Sequence, residues 1–360
     1  MECRVILCPH PSNEAKHMNT KTIELRPNQT VLVLGGRGFI GRHVVSQLES
    51  LGAMILIGTR GKQGFHEPSI VKIQLHATTK IEQWLPHLEG VDVVVNAVGI
   101  MRQRFNETFD KVHHLAVASL AKACEQKNIR LVHISALGIE HPVKSRFSSS
   151  KLRGENAIKH TKADWYIVKP SLVDGEGGYG AQWFRRIAQW PVHIAPATAK
   201  GMLTPIDVKD LAEAVAKISL KTQAAKDSKD RIYELGSNSM RLFDYLATLN
   251  GGQRRYQIRI PSSIARPISH LFDLLHITPF SFGHYELLQY NNCPVVDRLP
   301  EILGRPATLI ACQGKIQFVS IERSSNIKLL ELRVEKVERA SDRSLASFAQ
   351  RAITVIQANR

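Results

Sequence analysis

The stretch TVLVLGGRGFIG, residues 30–41, joins a run of apolar, β-branched residues to a glycine-rich turn and then to an amphipathic segment. A continuous apolar run of this kind is typical of a strand buried on both faces of a parallel sheet. Beyond the glycines, apolar residues recur at helical spacing from Ile40 to Leu51, and Gly52 is a natural helix stop. The stretch therefore predicts a strand, a tight turn and a helix, in that order.

The same alternation of strands and helices continues along the chain. Further strand-like apolar runs occupy residues 53–58, 70–75, 91–99, 129–135, 165–171 and 231–236. Helical periods lie between them, for example at residues 107–127 and around Lys151. Such alternation predicts an α/β fold with a doubly wound parallel sheet of the Rossmann type, covered by helices on both faces.

Changes in pattern divide the chain into four predicted parts. These are a poorly structured leader (1–29), a Rossmann domain (30–240) with cap contributions from residue 172 on, a helical cap or substrate region (241–313), and a basic C-terminal extension (314–360). Met18 is an alternative start within the leader, and the extension reads as a strand pair followed by a helix. We expect the smaller C-terminal α/β cap to lie over the carboxyl ends of the strands.

Composition excludes several classes of protein. The five cysteines are scattered and form no Cys-x-x-Cys pair, which argues against a disulfide framework and a zinc site and fits a reducing compartment. No apolar run approaches the roughly 20 residues that span a bilayer, so no transmembrane segment is expected. The leader lacks a signal-peptide pattern. We therefore expect a cytoplasmic protein without a bound metal.

The net charge of +16 is the unusual bulk feature of the 360 residues. A basic surface attracts nucleic acid, anionic lipid or acidic proteins. Nucleic acid is the least favoured partner, because the chain has no zinc-finger, homeodomain or RRM pattern. The expected partner is an acidic protein or a membrane-bound complex, which would place the protein at the periphery of a membrane.

The glycine-rich turn predicts a phosphate site. Gly35 permits the tight turn, Gly38 lets the backbone approach a pyrophosphate, and Gly41 lets helix and strand pack closely. Phe39 and Ile40 then open a helix whose free N–H groups and dipole attract an anion. The pattern indicates a dinucleotide site; the alternative is a glycine-rich turn without a ligand.

The end of the second strand bears on the choice of dinucleotide. An NAD-binding protein usually carries a carboxylate there for the ribose 2′-hydroxyl, whereas this chain reads Gly-Thr-Arg-Gly-Lys at residues 58–62. Arg60 can stack on adenine and bind a 2′-phosphate, and Arg37 is a second candidate. We therefore predict NADP(H) in preference to NAD(H). The alternative is that Arg60 and Lys62 are solvated loop charges.

Taken together, residues 30–240 resemble the extended and atypical branches of the short-chain dehydrogenase/reductase superfamily. The resemblance rests on GGRGFIG (35–41), NAVG (96–99), Ser135 in HISALG, Lys151, KPS (169–171) and TPIDVKDLAEAV (204–215). Within that group, VHISALG and residues 281–308 look most like proteins related to the NAD(P)H-binding accessory subunit of respiratory complex I. The cofactor residues that the resemblance implies, beyond the glycine turn and the arginines, are Asn96, Ala97, Val98, Lys151 and Pro170.

The resemblance also implies a catalytic set, and one member of it is missing. In active relatives a serine, here Ser135, orients the substrate oxygen; a tyrosine exchanges the proton; and a lysine, here Lys151, binds the ribose and lowers the phenol pKa. The tyrosine position holds Phe147, at the family's interval of twelve residues after the serine. A phenyl ring has no proton to exchange, and such help is worth about 10²–10⁴ in rate.

Two functions remain open from the sequence. The first is an NADP(H)-binding protein with a structural, assembly or redox-sensing role. The second is an active oxidoreductase or nucleotide-sugar epimerase with a different acid–base group, for which Tyr179 is the first candidate and His113 and His141 are others. The alternative for Lys151 is a solvated helix lysine.

Overall fold

The computed structural model describes residues 24–26, 28–60, 69–142, 144–222, 227–275, 282–310, 315–318 and 332–335. Predictions for most of the leader, for Lys62 and for most of the C-terminal extension lie outside the described residues. Leu25, at the end of the leader, forms an antiparallel bridge with Lys221.

The strands are β1 (Thr30–Leu34), β2 (Met54–Thr59), β3 (Ile70–Lys72), β4 (Val93–Asn96), β5 (Arg130–Ile134), β6 (Trp165–Pro170), β7 (Val173–Asp174), β8 (Val192–Pro196), β9 (Met202–Leu203), β10 (Ile206–Asp207), β11 (Ile232–Leu235), β12 (Met240–Arg241), β13 (Tyr256–Ile260), β14 (Lys315–Phe318) and β15 (Leu332–Glu335). The helices are α1 (Phe39–Ser50), α2 (Ile81–Trp84), α3 (Ala116–Lys127), α4 (Arg146–Lys159), α5 (Tyr179–Ala188), α6 (Val208–Leu220), α7 (Leu242–Leu249), α8 (Ser262–Leu275), α9 (Phe282–Leu287) and α10 (Leu299–Leu303).

A seven-stranded sheet with only parallel pairings forms the centre of the structure. Its order is β11-β6-β5-β4-β1-β2-β3, so the chain reverses its direction of winding between β1 and β4. The predicted doubly wound α/β fold is confirmed. In such sheets ligands bind beyond the carboxyl ends of the strands at this reversal.

The sheet is buried on both faces, as the continuous apolar runs predicted. In β1, Val31 and Val33 belong to the core that contains α1 and α6, whereas Leu32 and Leu34 belong to the core that contains α3. Because side chains alternate across a strand, each of these four residues packs against one helical layer. All four are fully buried.

Helix boundaries follow local signals in the sequence. After α1, Gly52 has φ +81°, a left-handed conformation that ends the helix at small steric cost. Asn128 ends α3 with φ +55°. The predicted helix from residue 107 begins instead as a π-helical turn, Asp110–Leu115, that leads into α3. There Gly154 of α4 lets the helices approach, since a Cβ would lie 2.0 Å from the His113 carbonyl oxygen.

Residues that follow β6 in the sequence form a smaller region. It contains the parallel pair β8–β13, the antiparallel pair β9–β12 and helices α5, α7, α8 and α9, with its own apolar core around Phe243 and Leu246. The chain then returns to α6, where Arg305 Nη2 and the Thr308 amide donate to Asp210 at 2.9 and 2.6 Å. None of the described helices has the length and apolar content needed to cross a bilayer.

Candidate functional site

The turn after β1 is shaped by glycines that other residues would obstruct. Gly35 has φ +76°, and a Cβ on it would lie 3.0 Å from the Val98 side chain. A Cβ on Gly41 would lie 2.1 Å from the Gly35 carbonyl oxygen. These close approaches bring the first turn of α1 directly against the end of β1, as a phosphate-binding turn requires.

The first turn of α1 is available to an anion. Gly38 is the N-cap residue, so no side chain caps the helix, and the first turn contains no acidic residue. The amides and the dipole of this turn therefore favour a negatively charged ligand. Ile40 packs against the core behind the turn, and the Phe39 ring contacts the loop that follows β7.

A cavity of about 280 Å³ opens beside this turn at the carboxyl ends of β1, β2 and β4. Predicted cofactor residues that line it are Gly35, Arg37, Gly38, Arg60, Ala97 and Val98. Asn96 lies below the surface instead: its Oδ1 accepts from the Val98 amide at 3.1 Å and its Nδ2 lies 3.2 Å from His133 Nδ1. Asn96 thus positions the Val98 backbone without lining the cavity.

Charged side chains from three loops meet at the β2 end of the cavity. Arg60 Nη1 donates to both carboxylate oxygens of Glu107 at 2.7 Å. His76 Nδ1 lies 3.5 Å from Glu107 Oε1. Glu107 comes from the segment between β4 and α3, and sequence reasoning missed it because nothing in the local pattern places that segment against β2.

The loop at Gly175–Gly178 packs on the phosphate turn. A Cβ on Gly178 would lie 2.7 Å from the Phe39 ring, and Arg42 Nη2 donates to the Glu176 carbonyl oxygen at 2.6 Å. Tyr179 begins α5 directly after this loop with 59% of its surface exposed. Within the described residues Tyr179 makes no hydrogen bond, so nothing holds its hydroxyl at the Ser135 or Lys151 side chain.

Ser135 and Lys151 both present buried polar groups without hydrogen-bond partners among the described residues. Ser135 follows β5; its amide donates to the Val168 carbonyl at 2.8 Å, but its buried Oγ has no hydrogen-bond partner in the described part of the chain. Lys151 is buried on α4, and its Nζ makes no hydrogen bond or ion pair with any described residue. Buried polar groups in proteins are normally hydrogen-bonded, so both groups are suited to a ligand.

Burial lowers the pKa of Lys151 to about 8, although the carboxylate of Glu155 acts in the opposite direction. Glu155 is one turn further along α4, but its Oε2 lies 3.1 Å from Lys169 Nζ and 3.4 Å from Lys159 Nζ. Lys169 also donates to Glu140 Oε1 at 2.6 Å. The nearest carboxylate is therefore already neutralised by other lysines.

Lys151 adjoins the cavity through Gly99. A Cβ on Gly99, which lines the cavity, would lie 3.8 Å from Lys151 Nζ. A larger residue at this position would thus stand between the cavity and the lysine. The phosphate turn lines the cavity, and Lys151 lies behind Gly99 at its wall. Pro170, also predicted at the cofactor, ends β6, where its carbonyl oxygen accepts from the Leu137 amide at 3.0 Å.

Phe147 stands one turn before Lys151 on α4, and aromatic rings surround it. The Phe109 and His113 rings meet it edge-on at centroid distances of 5.8 and 5.6 Å. The His284 ring of α9 lies nearly parallel to it at 6.0 Å. Lys151 Nζ lies 5.8 Å from the Phe147 ring centroid. The position of the expected phenol is an apolar, aromatic contact region.

The histidines of this region are poor proton donors. Burial, together with the charge of Lys151, lowers the pKa of His133 to about 3 and holds that of His113 well below its ordinary value. His113 Nε2 accepts from the Ile100 amide at 3.0 Å, so its proton is on Nδ1, 3.2 Å from Ser150 Oγ. Burial lowers the pKa of His284 to about 4. His141 lies elsewhere, stacked on Tyr290.

The site fits a dinucleotide. The phosphate turn offers a cradle that a Cβ would fill, and the first turn of α1 offers backbone amides that no side chain caps. Lys151 offers a buried amine that no described residue pairs with. These are the features that a pyrophosphate and a ribose need. The structure brings the Phe147 and Lys151 side chains close together, and Tyr179 contacts neither of them among the described residues.

Comparison with known proteins agrees with the geometry. Residues 35–189 match a family model described as NAD(P)H-binding. The mitochondrial NADH dehydrogenase (ubiquinone) 1 alpha subcomplex subunit 9 of Dictyostelium discoideum is 24% identical over 245 residues, which cover 64% of this chain and 66% of that protein. The mitochondrial NADH-ubiquinone oxidoreductase 40 kDa subunit of Neurospora crassa is 21% identical over 250 residues, covering 67% and 65%.

Among solved structures, MoeE5 in complex with UDP-glucuronic acid and NAD superposes with a TM-score of 0.53 at 16% identity, covering 78% of this chain and 94% of that one. The likeness at this identity concerns the fold. The matched region spans just under two thirds of the two curated relatives. The resemblance stated from the sequence is confirmed: residues 35–189 match an NAD(P)H-binding family model, and the relatives include subunits of mitochondrial NADH dehydrogenases.

Proposed function

We propose that this protein binds NADP(H) in preference to NAD(H) and serves a structural, assembly or redox-sensing role without ordinary carbonyl-reductase turnover. The observation that carries the proposal is Phe147, which occupies the position of the proton-exchanging tyrosine and packs among aromatic rings next to an intact Lys151. The residues expected to bind the cofactor are present, and the tyrosine expected to act as the acid is replaced by phenylalanine.

Each cofactor-binding residue has a defined task in this proposal. The glycine turn and the first turn of α1 bind the pyrophosphate, Arg60 and Arg37 bind the 2′-phosphate, and Lys151 donates to the nicotinamide ribose. A bound nicotinamide supplies hydride acceptance or donation. Ser135 can hold an oxygen of a second ligand, but Phe147 has no proton to give it. In this proposal the protein binds and orients the cofactor, and it lacks the tyrosine hydroxyl that would protonate a substrate during reduction.

The charge and the relatives support a proposal for the location of the protein. A net charge of +16 favours contact with acidic surfaces. Two relatives are named as mitochondrial subunits of NADH-ubiquinone oxidoreductases. We propose a cytoplasmic protein that docks peripherally on an acidic protein of a membrane-bound complex. Crosslinking in cells followed by identification of neighbours tests this docking; neighbours confined to cytosolic proteins without membrane partners would contradict it.

The first test is a parallel titration with NADPH and NADH, followed by nicotinamide fluorescence. Tight NADPH and weaker NADH binding is expected, and absence of binding by both would overturn the proposal. The second test compares the wild type with Phe147→Tyr in NADPH oxidation against a panel of ketones and quinones. The variant should gain about 10²–10⁴ in rate, the usual worth of a positioned acid. Phe105→Tyr is the matched control, because Phe105 is 98% exposed.

A second candidate is an active oxidoreductase or nucleotide-sugar epimerase with a different acid. The observation in its favour is that the buried Ser135 hydroxyl and Lys151 amine both lack partners. A solved structure of the same fold contains UDP-glucuronic acid and NAD. Wild-type turnover of a nucleotide sugar or ketone at or above the rate of Phe147→Tyr would favour this candidate. Its first candidate acid is Tyr179, and unchanged turnover in Tyr179→Phe would remove it.

A further inference from the structure

A carboxylate stands at the end of the cavity where the local sequence has none. Residues 58–60, which end β2, carry only the positive charge of Arg60, and this absence of acid is the basis for expecting NADP(H). The structure brings Glu107 to the same place from the segment after β4. A 2′-phosphate and the Glu107 carboxylate are both anions that bind a guanidinium. They must compete for Arg60.

Arg60 and Glu107 differ in how far their side chains are exposed to solvent. Arg60 has 57% of its side chain exposed, whereas Glu107 has 14%. The backbone of Glu107 is held by a reciprocal pair of hydrogen bonds with Arg104, at 3.1 and 3.0 Å. The exposed arginine can therefore turn to another anion while Glu107 stays at the cavity wall. His76 Nδ1, 3.5 Å from Glu107, remains as a polar neighbour when Arg60 leaves.

We infer that Glu107 limits the preference for NADP(H) over NAD(H) by holding Arg60 and by repelling a 2′-phosphate. The inference rests on the proposed function, since it requires the cavity to take the adenosine end of a dinucleotide. With NADP(H), Arg60 leaves Glu107 for the phosphate, and the carboxylate opposes the added negative charge. With NAD(H), the Arg60–Glu107 pair stays intact, and Glu107 is free to accept from the 2′-hydroxyl. Glu107 therefore narrows the preference that Arg60 creates.

The test is the affinity of the full-length protein for NADPH and for NADH, by calorimetry, in Glu107→Gln. The amide keeps the size of the side chain and removes its charge. We expect NADPH to bind about tenfold more tightly, because Arg60 no longer has to leave a carboxylate and the repulsion between that carboxylate and a doubly charged phosphate is gone. NADH affinity should change by less than about twofold.

The matched control is Glu89→Gln. Glu89 also forms a surface ion pair, 2.6 Å from Lys127, but it precedes β4 at the opposite end of the sheet. This variant should leave both affinities unchanged. In an Arg60→Gln background, Glu107→Gln should gain less NADPH affinity than in the wild type, since the competition for the guanidinium is gone.

The outcomes separate the inference from the proposed function. If the wild type binds neither nucleotide, both fall. If the wild type binds both nucleotides and Glu107→Gln leaves the ratio of the NADPH and NADH affinities unchanged, the inference alone is overturned. The thermal melting of each ligand-free variant checks folding. Should Glu107→Gln fold poorly, Glu107→Asp, which shortens the reach to Arg60 by one methylene, must shift the ratio in the same direction by a smaller factor.

Discussion

Replacing Lys151 by methionine should stabilise the ligand-free protein and weaken its binding of NADPH. Lys151 is buried, and no described residue pairs with its amine, so the native state carries a desolvated charge that the unfolded state leaves in water. Methionine fills a similar volume with an apolar side chain. The same substitution removes the donor proposed for the nicotinamide ribose. Stability and affinity should therefore move in opposite directions.

The magnitude follows from the pKa. Burial lowers the pKa of Lys151 from 10.5 to about 8, which corresponds to about 3 kcal/mol of unfolding free energy. Below pH 8 the amine is protonated in both states, and the native state carries the full penalty. Between pH 8 and 10.5 the native state binds fewer protons than the unfolded state, so wild-type stability rises with pH. The difference between variant and wild type should be about 3 kcal/mol at pH 7 and should shrink across that window.

Urea unfolding of the ligand-free proteins at pH 7 and pH 9.5, with the NADPH dissociation constant at pH 7, provides the assay. The matched control is Lys169→Met, a second buried lysine with carboxylate partners. Burial acts to lower the pKa of Lys169, but the carboxylates of Glu155 and Glu140 outweigh it and raise that pKa. Its removal leaves Glu155 buried and less neutralised, so this variant should lose roughly 3–5 kcal/mol. A loss of stability in Lys151→Met at pH 7, similar in size at pH 9.5, would refute the reasoning.

Three further predictions concern single substitutions in other helices. Gly41→Ala should abolish NADPH binding, because its Cβ would lie 2.1 Å from the Gly35 carbonyl oxygen; Gly180→Ala, where a Cβ meets nothing within 4 Å, is the control in the same calorimetric titration. Tyr179→Phe should bind NADPH within about twofold of the wild type, because its exposed hydroxyl makes no hydrogen bond with a described residue. Asp210→Asn should lower the unfolding free energy by roughly 2 kcal/mol in urea, because it weakens charge-assisted hydrogen bonds to the segment at residues 305–308.

The parallel sheet was predictable because its signals are local. The runs of β1, β4, β5 and β6 are dominated by apolar residues, so each indicates burial on both faces before any partner strand is known. Helix stops such as Gly52 and Asn128 are likewise properties of one or two residues. The π-helical turn before α3 was not predictable, because it depends on the approach of α4 at Gly154, forty residues further along.

The candidate site likewise contains features that the sequence predicts and features that it does not. The phosphate turn is contiguous in sequence, and its glycines could be read directly. The pairing of Arg60 with Glu107 joins residues 47 positions apart through a segment without regular structure. The stacking of His284 on Phe147 joins residues still further apart. The prediction of cofactor preference used only the charge of Arg60 at the end of β2. The folded cavity is also lined by Arg37 and Glu107.

The two buried lysines, Lys169 and Lys151, differ in their partners, and this difference bears on what the site does. Lys169 is held by Glu155 and Glu140, so its burial is explained by the fold alone. Lys151 has no such partner among the described residues, and its burial costs stability that a methionine or leucine would recover. A chain that needed only the shape of this sheet would gain by losing that amine. A buried lysine without a partner among the described residues, beside a phenylalanine, is what the proposed function requires: an amine that binds the cofactor and no phenol that protonates a substrate.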